Sequence, residues 1–302
     1  MIPFDPTSHI VVGTDLSHRA DQAVTWAADR AAARAEPLIV VLVLADLPIP
    51  KKSHVFAAIR TGDYLADLRH RADQRVAEVR ERILVRHPQL EVDALVVEGV
   101  AAQVLAEASR TASLVVVGAR GRSAPATVRA LGGTADAVTA HSVGPVAVVT
   151  DFGSPTPDGP VVVGVDDSVE ALAAVKLAVD EAARTSRRLI AVHAFDDLGA
   201  LFTSGMGLWS VDVGEASVYF HTMVGDLIAP YLAEHPEVKV EIRIEPGRAA
   251  AALAEASADA SLLVVGSRGR GGFLGLLLGS TSKGVLREAE CPVIVARPRH
   301  PR

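Results

Sequence analysis

Three glycines with a hydroxyl pair behind them carry the strongest chemical signal in the chain: Gly266, Gly269 and Gly279, then Ser280 and Thr281. Glycine lets a main chain take positive φ and come close to a ligand. Gly279-Ser280 is expected to open a helix, where several backbone N–H groups lack intrahelical partners and the dipole adds positive potential. Such a loop suits a phosphate. Arg268, Arg270 and Lys283 lie near enough in sequence to offset the charge of a triphosphate. A glycine-rich turn under leucine packing, with no ligand, is the other reading of the same stretch. A second polar feature is Asp166, which ends an apolar run and precedes Ser168. Its carboxylate can meet ribose hydroxyls or a metal held by phosphates, or it can hold the N–H groups that start the next helix.

The pattern is written twice. Residues 9–17 resemble residues 160–168, so Asp15 answers to Asp166, and Leu38-Ile39 answers to Leu189-Ile190. Gly99, Gly118 and Pro145 answer to Gly247, Gly266 and Pro292, with an offset that narrows slowly along the copy. That order is expected of a duplicated domain. The segment between the copies, rich in Pro, Gly and Ser, reads as a linker. Residues 1–151 are therefore expected as one domain, 152–159 as the linker and 160–302 as the second domain.

These residues need elements to hold them. In the first copy, β-branched runs are expected as strands over 9–13, 38–44, 92–97, 114–117 and 146–149. Helices are expected near 19–34, 64–87, 101–111 and 134–141. The second copy is expected to place strands over 161–165, 189–195, 238–244, 262–265 and 293–296. Nearly continuous apolar strands that alternate with helices indicate an α/β fold with a parallel sheet buried on both faces. Ser17 and Ser168 stand where a side-chain oxygen caps a helix. Five such strands run in the order 2-1-3-4-5 or 3-2-1-4-5. Ligands bind beyond the carboxyl ends of strands where the order reverses. In the second order that crevice joins the aspartate to the glycine loop in each copy. Residues 48–63 and 196–214 are long for loops. The second, with Phe202, Met206, Leu208 and Trp209, either packs against the other copy or covers a ligand.

Composition narrows the class. Of 302 residues 49% are apolar but only 4% aromatic, so the core must be aliphatic. Thirty basic against 36 acidic residues give a net charge of -6, which argues against nucleic-acid binding by bulk charge. A single Cys291 leaves no intramolecular disulfide framework and no multi-cysteine zinc site. The apolar runs are too short for a membrane-spanning helix, and the first residues carry no signal-peptide pattern. A cytoplasmic protein without membrane insertion is expected.

The spacing Gly266-x2-Gly269-x9-Gly279-Ser280 resembles the ATP-binding signature of the universal stress protein family. Gly164-x-Asp166, Val192-His193-Ala194, the turn at Gly247 and Cys291-Pro292-Val293 extend that resemblance along the chain, as a tandem member with two domains. It implies two Rossmann-like domains of the adenine nucleotide α-hydrolase type, each a five-stranded parallel sheet of order 3-2-1-4-5 flanked by helices. It implies ATP, with Mg held through phosphates near Asp15 and Asp166. In the second domain Gly164 and Val165 would lie beside adenosine, Asp166 near ribose and phosphates, and Ala194 would offer its main chain to adenine. Val265 and Gly266 would face the ribose, with Arg268 nearby, and Gly269, Gly279, Ser280 and Thr281 would hold phosphates. His193 is expected to pack in the sheet. In the first domain the corresponding set is Gly13, Thr14, Asp15, Val43, Val117, Gly118, Arg120, Gly121, Gly132, Gly133 and Thr134. That copy departs from the pattern. Ten residues separate Gly121 from Gly132, Gly133 replaces the serine, and Arg129 is available as a compensating charge, so this site is expected to be the weaker.

The resemblance implies a regulatory ATP-binding protein of stress or dormancy, a homodimer with an unidentified protein partner, and at most slow hydrolysis. An adenylating enzyme of the related α/β class and a scaffold without ligand are the other classes. Residues 163–168 match the Ser-Gly-Gly-x-Asp-Ser loop of adenylating synthases poorly, and no Walker lysine pattern is present. A receiver domain fails because the second copy has no aspartate ending strand three and no lysine ending strand five. The free edge of strand five is expected to be met antiparallel by its counterpart, residues 146–149 with 293–296, and the remaining faces by a second chain.

Overall fold

The structure, a computed structural model, describes residues 2–45, 62–121, 130–150, 156, 158–195, 213–270 and 277–298. It contains two units. The first holds β1 (Ile10–Thr14), α1 (His18–Arg34), β2 (Leu38–Leu44), α2 (Gly62–Arg86), β3 (Val92–Glu98), α3 (Ala101–Ala108), β4 (Leu114–Gly118) and α4 (Gly133–His141). The second opens on β5 (Val146–Val149) and β6 (Val161–Gly164), then α5 (Val169–Thr185), β7 (Leu189–Phe195) and α6 (Val213–Glu234). It closes with β8 (Val240–Pro246), α7 (Ala249–Ser257), β9 (Leu262–Gly266), α8 (Ser280–Glu288) and β10 (Val293–Ala296).

In the first unit β1 pairs in parallel with β2 and with β4, and β2 with β3. In the second, β6 pairs in parallel with β7 and β9, β7 with β8, and β9 with β10. The first strand of each unit therefore lies between the second and the fourth. On the other edge of β10, β5 pairs antiparallel, Val293 opposite Val148 and Val295 opposite Val146. So β5 folds with the second unit although its sequence belongs to the first copy. This is the antiparallel pairing of residues 146–149 with 293–296 that the sequence leads one to expect.

The central strands β1, β4, β6 and β9 form because Val, Ile and Leu run with little polar interruption and are buried. Ile10, Val11, Val12 and Val161, Val162, Val163 are fully buried. The stripe of α1 that covers β1 is built from Ala20, Ala23, Val24, Ala27, Ala28 and Ala31, a helical spacing of small side chains that lets the helix sit close. Ser17 Oγ accepts the N–H of Ala20 and Ser168 Oγ that of Ala171, both at 3.2 Å, so both helices start on the side-chain caps expected of them. Each cap is worth about 1 kcal/mol.

β8 differs from its expected form. It begins two residues late, because the N–H of Val238 is taken by the carbonyl of His235 in the turn after α6. Its residues are half-buried and alternate apolar with charged, and Glu241 pairs with Arg243 at 2.6 Å and Arg188 at 3.0 Å. Charges of this kind protect an outer strand from further pairing. Among the described residues, no helix is long and apolar enough to cross a membrane.

Candidate nucleotide site

At the carboxyl ends of β6, β7 and β9 the second unit has a cavity of about 390 Å3. The ligand pockets of proteins span roughly 300–1,000 Å3. Its wall includes every residue proposed for the second site: Gly164, Val165, Asp166 and Ala194 from the first two strands, Val265, Gly266, Arg268 and Gly269 after β9, and Gly279, Ser280 and Thr281 at α8. Lys283 is not in that wall.

Asp166 fastens the two halves together. Its Oδ1 accepts the N–H of Ser168 at 3.0 Å and the hydroxyl of the same serine, and its Oδ2 accepts the N–H of Arg270 at 3.2 Å. The reading in which the carboxylate holds the start of the next helix is seen here, and the same group also accepts from the glycine loop. At Gly269 a Cβ would lie 2.5 Å from Asp166 Oδ2, so a larger residue there would force the loop or the carboxylate to shift. The start of α8 is capped differently from α5. Gly279 supplies no side-chain acceptor, although its own N–H is bound to Ser267 O at 2.8 Å. The first N–H groups of α8 therefore lack a side-chain cap, as an anion site requires.

The arginines have partners. Arg268 is held by Glu170, Nη2 to Oε1 at 2.7 Å, and Arg270 by Asp167 at 3.3 Å. Ladder bonding between β6 and β7 ends with Val165 N–H on Val192 O, and Ala194 lies two residues further on. Its main chain on that side thus lies beyond the β6–β7 ladder.

His193 packs as expected, and it also lines the cavity. It is 1% exposed, packs its ring at a tilt against Phe220 with centroids 4.6 Å apart, and shares a 2.7 Å hydrogen bond between Nδ1 and the carbonyl of Val165. A carbonyl only accepts, so Nδ1 carries the proton and Nε2 is bare. Nε2 is buried without a partner. Burial pushes the imidazole below its ordinary 6.5, against the pull of the Val165 carbonyl.

The first unit repeats the arrangement in a cavity of about 710 Å3. Gly13, Thr14, Asp15, Val43, Val117, Gly118, Arg120, Gly121, Gly132, Gly133 and Thr134 all line it. Asp15 Oδ1 accepts the N–H of Ser17 at 3.0 Å, and Gly132, without a side-chain cap, starts α4. Arg129 lies outside the described residues, as do the long loops at 48–61 and 196–212 with Phe202, Met206, Leu208 and Trp209.

Leu253 and Leu105 are lining residues that sequence reasoning missed. Leu253 sits 3.0 Å from where a Cβ of Gly164 would stand, and Leu105 2.6 Å from that of Gly13. These two glycines are thus bare because a leucine from the helix after β8 or β3 crosses them. The signal was available: each leucine follows a landmark glycine, Gly247 or Gly99, by six residues. Among the described residues no group of three or more His, Cys, Asp or Glu is arranged to hold a metal.

Comparison with known proteins agrees with the duplicated pattern. A family model described as the Universal stress protein family matches residues 6–150 and again 159–297. A universal stress protein of Mycolicibacterium smegmatis is 34% identical over 292 residues, covering 96% of this chain and 97% of that protein. One from Mycobacterium tuberculosis is 36% identical over 299 residues, covering 95% and 96%. The crystal structure of a universal stress protein from Archaeoglobus fulgidus superposes with a TM-score of 0.67 at 21% identity, over 96% of this chain and 97% of that one. With two matches that account for both copies, the chain belongs to the universal stress protein family.

Proposed function

We propose that each unit binds ATP in its cavity, and that the chain acts by nucleotide-dependent shape or partner choice in a stress or dormancy response, not by turnover. The observation that carries the reading is the meeting, in one cavity, of the helix start at Gly279, Ser280 and Thr281 with Asp166 at the end of β6. In this reading the first-turn N–H groups and hydroxyls of α8 take the phosphates, the main chain of Ala194 takes the base, and Leu253 forms an apolar wall. Thr134 and the uncapped start of α4 have the same task in the first unit.

Both oxygens of Asp166 accept backbone N–H groups, which fixes the carboxylate in place beside the glycine loop. Mg enters this proposal held through the phosphates near Asp15 and Asp166. Assembly with a second copy and an unidentified protein partner belong to the same proposal. Light scattering that finds only the monomer at micromolar concentration would remove the homodimer.

The test of ATP binding is mass spectrometry of nucleotide retained by the purified chain, with and without magnesium, followed by calorimetric titration of the stripped protein. Adenine nucleotide approaching two per chain is expected. A chain that retains none and gives no heat with millimolar ATP would refute the reading. Product that accumulates over many turnovers would move the assignment to an enzyme.

A further inference from the structure

The two units fill one place in their second strand differently. β7 has His193 where β2 has Leu42, at the same remove from the strand starts Leu189 and Leu38. Both residues are buried, and each lines the cavity of its own unit. Leu42 packs with Ala72, Val76 and Val96, an apolar side chain in an apolar cluster. His193 brings ring nitrogens into the corresponding place, and a buried polar atom needs a partner.

One nitrogen has its partner. Nδ1 donates to the carbonyl of Val165, itself a wall residue, at 2.7 Å. That bond fixes the tautomer, so Nε2 has a lone pair and no proton. The side chain is 1% exposed, and Nε2 has no hydrogen-bond partner among the described residues. Asp166 and Arg270, also in the wall, lie close enough for their charges to act on the imidazole. A buried acceptor left bare is costly, and the cost is recovered when a donor reaches it. Leucine fills the place in the first unit without that cost.

We infer that Nε2 of His193 faces the second cavity and accepts a hydrogen bond from the nucleoside end of the ligand, an amino N–H of the base or a ribose hydroxyl, which makes His193 a specificity-determining residue that the first cavity lacks. This deepens the nucleotide reading and rests on it. A phosphate oxygen offers only lone pairs, so the partner of Nε2 belongs to the nucleoside. Ala194, the next residue along β7, is the one proposed to meet the base.

The experiment is calorimetric titration of full-length wild type, His193→Leu and His193→Gln with ATP, inosine triphosphate and the two monodeoxy analogues of ATP. In wild type the analogue that lacks the donor is expected to bind the second site about tenfold more weakly than ATP. Which analogue this is tells the amine from a hydroxyl. His193→Leu should narrow that ratio by the same factor, by weakening ATP and not the analogue, and the first-site phase should stay as it was. His193→Gln, which keeps an acceptor oxygen, should retain part of the ratio. Nitrogen NMR of histidine-labelled wild type reads the same contact without a substitution, should a variant fail to fold. The Nε2 resonance is expected to shift with ATP and not with the analogue that lacks the donor. Ratios that stay at their wild-type values in His193→Leu, or an Nε2 resonance that bound ATP does not move, would overturn the role of His193 and leave the nucleotide reading in place. Failure of ATP to bind wild type at all would remove both.

Discussion

The backbone N–H of Arg270 donates to Asp166 Oδ2 across 3.2 Å, which ties the end of the first strand of the second unit to the loop that follows its fourth. Everything that can hold a ligand in that cavity is arranged around this link. Gly269 is the residue that allows it.

Gly269→Ala should therefore cut the link without touching the core. A Cβ 2.5 Å from Oδ2 must push the loop away, and a lost charge-assisted hydrogen bond costs about 1.5–3 kcal/mol. A tenfold or greater loss of ATP affinity at the second site is expected, with a fall in melting temperature of a few degrees. Unchanged affinity in the folded variant would show that the loop does not hold the ligand.

Gly133→Ser is the opposite case. A Cβ at Gly133 meets nothing within 4 Å among the described residues, so the substitution fits against them without strain. It gives α4 the hydroxyl that Ser280 gives α8. A hydrogen bond to phosphate at this place should raise affinity at the first site by about tenfold, since 1.4 kcal/mol is a factor of ten. Titration of the variant against wild type decides it, and no gain would mean that the longer loop has moved the phosphates elsewhere.

His193 should make stability depend on pH. Its folded pKa lies below the ordinary 6.5, chiefly through burial. Between those two values the unfolded chain binds the proton and the folded chain does not, so stability is full above about pH 6.5 and falls as pH is lowered through the window. His193→Leu, the residue at the equivalent Leu42, should remove this component. Denaturant melts from pH 7.5 to 5 should show the wild type losing more stability than the variant. Parallel curves would contradict the assignment.

Cys291 should be chemically silent. It is fully buried, and burial pushes its thiol up to about 12. A thiol reagent at pH 8 is expected to leave the native chain unlabelled for hours and to react with one equivalent in denaturant. Rapid native labelling would show that the strand end it occupies opens readily.

Much of this fold could be read from periodicity because its strands are buried on both faces. Leu38–Leu44 has no polar break and Leu189–Phe195 only His193, and their limits appear in the structure unchanged. β8 was placed less well, since an outer strand carries charges and its start is set by a turn hydrogen bond that leaves no compositional mark. The residues that wall the cavities were legible for a similar reason: glycines and aspartates at strand ends have few other uses. What stayed hidden was pairing. That Arg268 and Arg270 are held by Glu170 and Asp167 depends on which helix start faces which loop, and local sequence does not encode that distance.

The antiparallel seat of β5 on β10 means that the repeat as written and the repeat as folded are out of step by one strand. Cutting the gene at the linker would part β5 from its antiparallel partner β10. A fragment of residues 160–302 would have every loop and helix of its cavity yet leave the outer side of Val293–Ala296 bare. It would be expected to recruit a strand from another copy or to precipitate. Adding a peptide that spans Val146–Val149 should restore it by complementation, as a missing stave closes a sheet.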